Sequence, residues 1–321
     1  MHEMDENFII NKYLKPLSKN FKEPLNLSDD AAILKVVKKK NLVVSVDNFI
    51  YGVHCPDYIS ISSAIYRSIL SAISDLSAMA AKPYCIFISI TLNKDNISTK
   101  LLKDLKRGIS KALRNTKAVL AGGDLCSSSG AVSFSITVIG EGSRKNLLHR
   151  KGAKPNELLC VSGNIGDAKI GLDILLKNKK ENENLKRNYF VKKFINPPIR
   201  NDFIRMISHK VSSCIDISDG LIFDSFKLAS SSKCGLEINS SKIPLSLKAR
   251  KILKRKYFSL NDLINAGDDY ELAFSVSEKN LEFVKKIGKT KKVKVSVIGK
   301  FTKKNFFLLD GKAFTKGYSH F

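Results

Sequence analysis

The sequence predicts an α/β protein of two domains. Short apolar runs that suit strands alternate with longer runs of helical period. At 321 residues the chain is long for one ordinary core, and 43% hydrophobic residues are enough to build two. A basic stretch over 143–157, with Gly152 and Pro155, separates two such series. The boundary is placed there, giving domains 1–145 and 146–321.

In the first half, residues 6–14 read as a short helix, followed by a polar loop. Ser28-Asp29-Asp30-Ala31-Ala32-Ile33-Leu34 joins an acidic pair to an apolar strand start, either a metal or nucleotide site or an acidic turn. Residues 42–47 form a strand ending on Asp47, and Tyr51-Gly52-Val53-His54 follows in a loop. A lone histidine there reads first as structural or solvated. Over 62–81 the period is helical, with Ile65, Ile69, Ala72, Ile73, Leu76 and Met79 on one stripe. Asp75 borders that stripe, and a carboxylate beside a packed face needs a partner. Lys82-Pro83 stops the helix. A strand over 84–92 and a lysine-rich amphipathic helix over 98–115 come next. The strand 118–121 runs into Gly122-Gly123-Asp124. Two glycines at a strand end let backbone N–H groups approach a phosphate, although a plain glycine turn has the same pattern. A P-loop is excluded, since the Gly-Lys-Ser/Thr ending is missing. A strand over 132–140 closes this half.

In the second half, a strand over 158–162 enters Gly163-Asn164-Ile165-Gly166-Asp167 and a helix, a weak phosphate-loop pattern. Residues 177–188, nearly all Lys, Asn and Glu, read as a solvated loop or frayed helix end. Pro197-Pro198 opens a helix to about 211. An apolar approach then reaches Asp216-Ile217-Ser218-Asp219-Gly220 and a helix over 220–231. Those carboxylates either cap the helix or hold a cation that holds a phosphate, with free backbone N–H groups beside them. A strand over 235–239 and a helix over 246–257 follow. Ala266-Gly267-Asp268-Asp269-Tyr270-Glu271 turns into the next strand. A helix over 277–287 and a strand over 293–299 complete the series, and the aromatic tail Gly317-Tyr318-Ser319-His320-Phe321 is expected to fold back onto the body.

The formal net charge of +25 raises the prospect of an anionic partner, but the lysines are spread along the whole length. No RNA-binding aromatic signature and no zinc-finger spacing occurs, so no nucleic-acid partner is expected. No apolar run reaches about 18 residues, so no membrane span is expected. The acidic N-terminal segment lacks an h-region, so no signal peptide is expected either. Six cysteines without a Cys-x-x-Cys pair, several in apolar runs, suit a reducing cytoplasm.

Acidic positions at element ends recur six times: Asp29/Asp30, Asp47, Asp75, Asp124, Asp216/Asp219 and Asp268/Asp269. Each alone has a bland reading. Together they read as one function, because converging carboxylates repel and only cations stabilise the gathering. Magnesium is held by a few carboxylates plus substrate phosphates, so the reading is a multi-magnesium site for a polyphosphate.

These residues resemble the thiamine-monophosphate kinase family, of the aminoimidazole-ribonucleotide-synthetase-like ATP-binding superfamily, essentially end to end. Ser28 to Ala32 resembles Gly-Asp-Asp-Ala/Cys-Ala, and Ser45-Val46-Asp47 with Gly52-Val53-His54 resembles Thr-Thr-Asp…Gly-x-His. Ser74-Asp75-Leu76-Ser77-Ala78-Met79 is similar to Asn-Asp-Ile/Leu-Ala-Ala-Met, and Gly122-Gly123-Asp124 to Gly-Gly-Asp-Thr. Asp216 to Leu221 matches Asp-x-Ser-Asp-Gly-Leu. Gly267 to Leu272 resembles Gly-Glu-Asp-Tyr-Glu-Leu, and the tail resembles Gly-(aromatic)-Asp-His-Phe.

The resemblance implies a two-domain fold. An N-terminal mixed sheet with helices dimerises, a C-terminal α/β domain completes the site, and the site lies between domains near the dimer interface. It implies transfer of the γ-phosphoryl group of ATP to thiamine monophosphate in a homodimer. Asp30, Asp47, Asp75, Asp124, Asp216 and Asp219 would share several Mg2+ ions, with oxygens from Ser45 and from the backbone of Val46. Gly123, Asp124, Arg150 and Ser218 would hold the nucleotide, and His54, Asp268 and Tyr318 the acceptor. Arg150 lies in Leu148-His149-Arg150-Lys151-Gly152-Ala153, similar to Leu-x-Arg-x-Gly-Ala. No side-chain nucleophile or base is expected, since the attacking phosphate oxygen is already anionic. This chain departs from the family at Ser28, Val46, Leu125-Cys126 and Asp268, which stand for glycine, threonine, Thr-Thr and glutamate. The rival readings are another ATP-using enzyme of the superfamily and a non-catalytic basic RNA-binding protein.

Overall fold

The computed structural model describes residues 6–18, 40–178, 183–304 and 306–314. A short helix α1 (Glu6–Ile9) continues through a π-helical turn to Leu14. The first sheet holds β1 (Asn41–Ile50), β2 (Lys82–Asn93), β3 (Val119–Ser128) and β4 (Ser133–Gly142) in the order β1-β4-β2-β3. Only β2 and β3 run parallel. Helices α2 (Ile61–Ala78) and α3 (Thr99–Thr116) cover one face, and α3 supplies the crossover that a parallel pair requires. Ser60 and Ser98 cap them, their hydroxyls accepting from Ser63 N and Leu101 N. The core between sheet and helices contains Val43, Phe49, Ile86, Ile88, Phe134 and Ile136 with Ile65, Ile69 and Ile73. The opposite face of β1 presents Val44 and Val46, 56% and 57% exposed.

Expectation and structure differ at Gly122-Gly123-Asp124. These residues lie inside β3 rather than at its end, because β2 runs beside them with Ser89 opposite Asp124 and Asn93 opposite Ser128. A Cβ at Gly123 would run into the Ile88 carbonyl, which is a reason for glycine independent of any phosphate.

The second sheet has the order β11-β10-β7-β9-β5-β8-β6. Its strands are β5 (Leu158–Ser162), β6 (Val211–Asp216), β7 (Gly235–Ile238), β8 (Leu272–Val276), β9 (Val295–Thr302), β10 (Phe307–Leu309) and β11 (Lys312–Ala313). Every residue of β8 is buried, and its one polar side chain, Ser275, accepts from the Ser213 hydroxyl at 3.0 Å. The helices of this half are α4 (Asp167–Asn178), α5 (Glu183–Arg187), α6 (Tyr189–Ile195), α7 (Asn201–Ile207), α8 (Leu221–Ser231), α9 (Leu247–Lys254), α10 (Leu260–Ile264) and α11 (Glu278–Thr290). The helix expected from Pro197 starts instead at Asn201. There Asn201 is buried, donating to the Ala81 carbonyl at 3.0 Å and accepting from Ser77 Oγ at 2.8 Å. It stops at Ile207, since 211–216 are drawn into β6 against β8.

The halves meet along α2, which packs against β6 and α7. No helix among the described residues is long and apolar enough to cross a membrane. All six cysteines are free thiols, and all but Cys126 are buried.

Candidate active site

Two clefts open where α2 faces the second half, and they share Asp75 and Asp216. The first, about 680 Å³, is walled by Val43, Val44, Ser45 and Met79 on one side and by His149, Arg150 and Lys151 on the other. The second, about 860 Å³, takes in Asp47, Phe49, His54, Ser218, Asp219 and Asp268. The first is therefore basic and partly apolar, and the second acidic and aromatic. Their common point is a pair of carboxylates from different halves of the chain.

Each shared carboxylate is held by a serine. Ser45 Oγ donates to Asp75 Oδ2 at 2.5 Å, and Ser74 Oγ donates to Asp216 Oδ2 at 2.8 Å. Asp75 lies near the C-terminal end of α2 and Asp216 closes β6, so helix and strand bring them together. Burial, and then the charge of Asp75, push the Asp216 carboxyl up to about 7. The same two causes push Asp47 up to about 6. Asp75 is raised by its own burial, against the Ser45 hydrogen bond and the charge of Arg150. Among the described residues none of the three forms an ion pair with a lysine or arginine. Arg150 is the cation whose charge acts on Asp75 and Asp216, so the set keeps an excess of negative charge, and one or two carboxylates beside substrate phosphates is the donor set magnesium prefers. No three acidic, histidine or cysteine side chains among the described residues already form a metal-ligating cluster. What the clefts offer a cation is the pair Asp75 and Asp216 with Asp47 in the second cleft, a set that suits an ion keeping much of its water and taking phosphate oxygens.

Asp219 stands apart, because Lys227 Nζ lies 2.5 Å from its Oδ2 and 3.0 Å from Asp224 Oδ1. The backbone N–H groups of Ser218 and Asp219 both donate to Asp224 Oδ2, at 3.1 and 2.9 Å. They are not the free donors the sequence reading expected. The Ser218 hydroxyl is what remains for a ligand. His54 is exposed, and its Nδ1 accepts from the Ile50 N–H at 2.9 Å. That bond leaves the proton of the neutral ring on Nε2. Asp268 faces the second cleft, whereas Asp269 turns inward and accepts from Gly166 N at 3.0 and 2.8 Å. The same bond occupies the loop at 163–167 that had a weak phosphate pattern.

Asp124 is not brought to the clefts. Residues opposite one another across strands share a face, and the pairings align Asp124 with Ser89, Ser135 and Asn48. Asn48 neighbours Asp47 in β1, so Asp124 lies on the opposite face of the sheet from Asp47. Gly123 is exposed on the same edge strand. Asp30 and Tyr318 lie outside the described residues, as does the expected fold-back of the tail.

The sequence reading missed Arg67. It is buried at 2% exposure, and its guanidinium lies 2.5 Å from Asp268 Oδ1 across the domain contact. A usable signal was present: α2 is buried almost all round, so a cation within it has to be paired. Arg200 was missed too. It grips the buried Glu271 with Nε and a terminal nitrogen, at 2.6 and 2.5 Å.

Comparison with known proteins gives concordant matches. The model of the AIR synthase related protein N-terminal domain matches residues 28–141, and that of the C-terminal domain matches residues 154–310. A thiamine-monophosphate kinase of Buchnera aphidicola subsp. Schizaphis graminum is 35% identical over 302 residues, covering 94% of this chain and 92% of the relative. The solved structure described as AaThiL complexed with AMPPCP and TMP has a TM-score of 0.78 at 26% identity, covering 100% of this chain and 98% of that one. The crystal structure of thiamine-monophosphate kinase from Stenotrophomonas maltophilia K279a has a TM-score of 0.85 at 24% identity, covering 93% and 94%.

Proposed function

The chain belongs to the thiamine-monophosphate kinase family of AIR synthase related proteins, and from that premise we propose that it transfers the γ-phosphoryl group of ATP to thiamine monophosphate, giving thiamine diphosphate and ADP. The observation that carries this reading is the meeting of two clefts on one carboxylate pair, Asp75 with Asp216. A kinase with a phosphate acceptor has to bring two anions end to end, and this junction is where they would touch.

In this reading the nucleotide takes the first cleft. Arg150, with Lys151 and His149 beside it, neutralises its phosphates, and the wall of Val43, Val44 and Met79 receives an apolar part. The acceptor takes the second, its ring system against Phe49 and Tyr270, with His54 Nε2 and Asp268 as polar contacts. Ser218 offers its hydroxyl at the phosphate end. Bound Mg2+ would supply charge neutralisation between the two phosphate groups, held by Asp47, Asp75 and Asp216 with Asp30, and with Asp219 once Lys227 releases it. The acceptor oxygen is anionic at neutral pH, so in-line attack requires no base from the protein. The work of the chain is alignment and exclusion of water, and no phosphoenzyme forms.

We assign the nucleotide site mainly to residues 1–145 and closure over it to residues 146–321. A homodimer is part of the proposal. The exposed Val44 and Val46 face suits a second copy, and Asp124, on that same outer face, reaches a nucleotide only where a partner brings one. A cytoplasmic setting is supported by six unpaired thiols. Incubation with ATP, magnesium and thiamine monophosphate, with chromatographic detection of thiamine diphosphate, tests the reading. ATP consumption without that product would refute it.

A further inference from the structure

We propose that Arg67 is a positioning residue for the organic half of the acceptor, fixing Asp268 in the pose from which it accepts from the substrate's amino group; this rests on the kinase reading above. Arg67 projects from the middle of α2, and burying a guanidinium requires compensation on every side. One terminal nitrogen pairs with Asp268 Oδ1 at 2.5 Å, and the other donates to the Phe194 carbonyl in the last turn of α6. The cation lies over the Phe194 ring, 3.9 Å from its centroid. Its Nε is buried without a hydrogen bond, so the compensation comes from Asp268, from Phe194 and from the Tyr270 ring, whose centroid is 5.6 Å from the cation. A helix of the first half thus draws two segments of the second half onto itself.

Asp268 needs such a hold. Its backbone is left-handed at φ +74°, as is that of Tyr270 at +49°, and neither is glycine. The loop is stitched to the phosphate-side segment by Asp268 N to Ser218 O at 2.9 Å and Tyr270 N to Ile217 O at 2.8 Å. Arg67 and the Tyr270 hydroxyl, at 3.4 Å, both fall on Oδ1 of Asp268. Neither bond uses Oδ2, and the side chain, 31% exposed, lines the second cleft. A carboxylate with one oxygen bound to a guanidinium has its charge already balanced. It suits a neutral amine donor better than a metal ion. Thiamine monophosphate carries such a donor, the exocyclic amine of its aminopyrimidine. The aspartate standing where the family motif has glutamate is shorter, and the left-handed backbone with the Arg67 pair supplies a defined position for it.

A site built to accept from an amine discriminates strongly against an analogue that lacks it. The probe is oxythiamine monophosphate, which has an oxo group in place of the amine. The wild type is expected to prefer thiamine monophosphate in kcat/KM by at least about 100-fold. Arg67→Lys and Asp268→Asn should each cut that preference about tenfold, while KM for ATP moves less than about twofold. Their double variant should be no worse than the worse single, since both break one contact. Arg67→Lys and Asp268→Asn retain a side chain of similar size, and Asp268→Asn carries the test where Arg67→Lys does not fold. An unchanged preference in Arg67→Lys, or a KM for ATP that rises in step, overturns the assignment. A wild type that makes no thiamine diphosphate overturns the kinase reading instead.

Discussion

Asp216 shows at residue scale what the site asks of the fold. Its carboxyl is pushed up to about 7 from 3.8, first by burial and then by the charge of Asp75. A group raised in the folded state stabilises most when protonated, below about 4, and that contribution is lost as pH rises through about 7. Asp216→Asn should therefore leave the melting temperature at pH 8 unchanged or higher, while kcat falls about 100- to 1,000-fold; near-normal turnover would contradict the metal role. The same shifts set metal affinity. A carboxyl must lose its proton to bind a cation, so magnesium affinity should rise as pH climbs from about 5 to 8, through the values of about 6 for Asp47 and about 7 for Asp216. Calorimetry in buffers of different ionisation heat would detect the released protons. A pH-independent affinity would mean that these carboxyls are not ligands. Asp75 and Asp216 were legible in the sequence as carboxylates at element ends; Asp47 was legible as a strand carboxylate but not as a strand end, because pairing with β4 carries β1 past it to Ile50. For Arg67 the need for a partner was legible but the partner was not, because Asp268 lies 201 positions away and one arginine in an apolar helix gives no local sign of where it points.

At element scale, α2 organises the site. It carries Arg67, Ser68, Ser71, Ser74 and Asp75 on the side facing the clefts, and its apolar stripe fixes which side that is. Behind it α3 comes close through Gly108, where a Cβ would meet the Ile65 side chain and the Ser62 carbonyl. Gly108→Val should cost about 1–3 kcal/mol, seen as a lower denaturant midpoint at constant m-value. A stability equal to wild type would show that the helices can part without penalty. Long periodic elements such as α2, α3 and α11 were legible because their period carries the signal. The short helices α6 and α10 and the strands β10 and β11 were not, since two to seven residues hold less than two helical turns or a few alternations. Gly122-Gly123-Asp124 read as a turn because the pairing that keeps it extended comes from β2, which sequence proximity does not reveal.

At the scale of the whole molecule, two halves of different character close on one carboxylate pair. The first brings a helix and a sheet face, and the second brings the strand end at Asp216 and the loops that hold Asp268 and Ser218. The outer face of the first sheet leaves Val44 and Val46 uncovered. Light scattering should find the wild type at twice the chain mass and Val46→Glu at the single mass, with turnover reduced in the variant. A fully active wild-type monomer would remove the second copy from the site. The net charge of +25 is spread along the whole chain, and Arg150 and Lys151 are the part of it that lines the first cleft. The central claim is that the junction of the clefts passes a phosphoryl group from ATP to a second phosphate. Its most direct test is a single incubation with ATP, magnesium and thiamine monophosphate in which both products are quantified. The expected result is one thiamine diphosphate per ADP, dependent on magnesium and lost in Asp216→Asn. ADP without thiamine diphosphate, or no ADP at all, would contradict it.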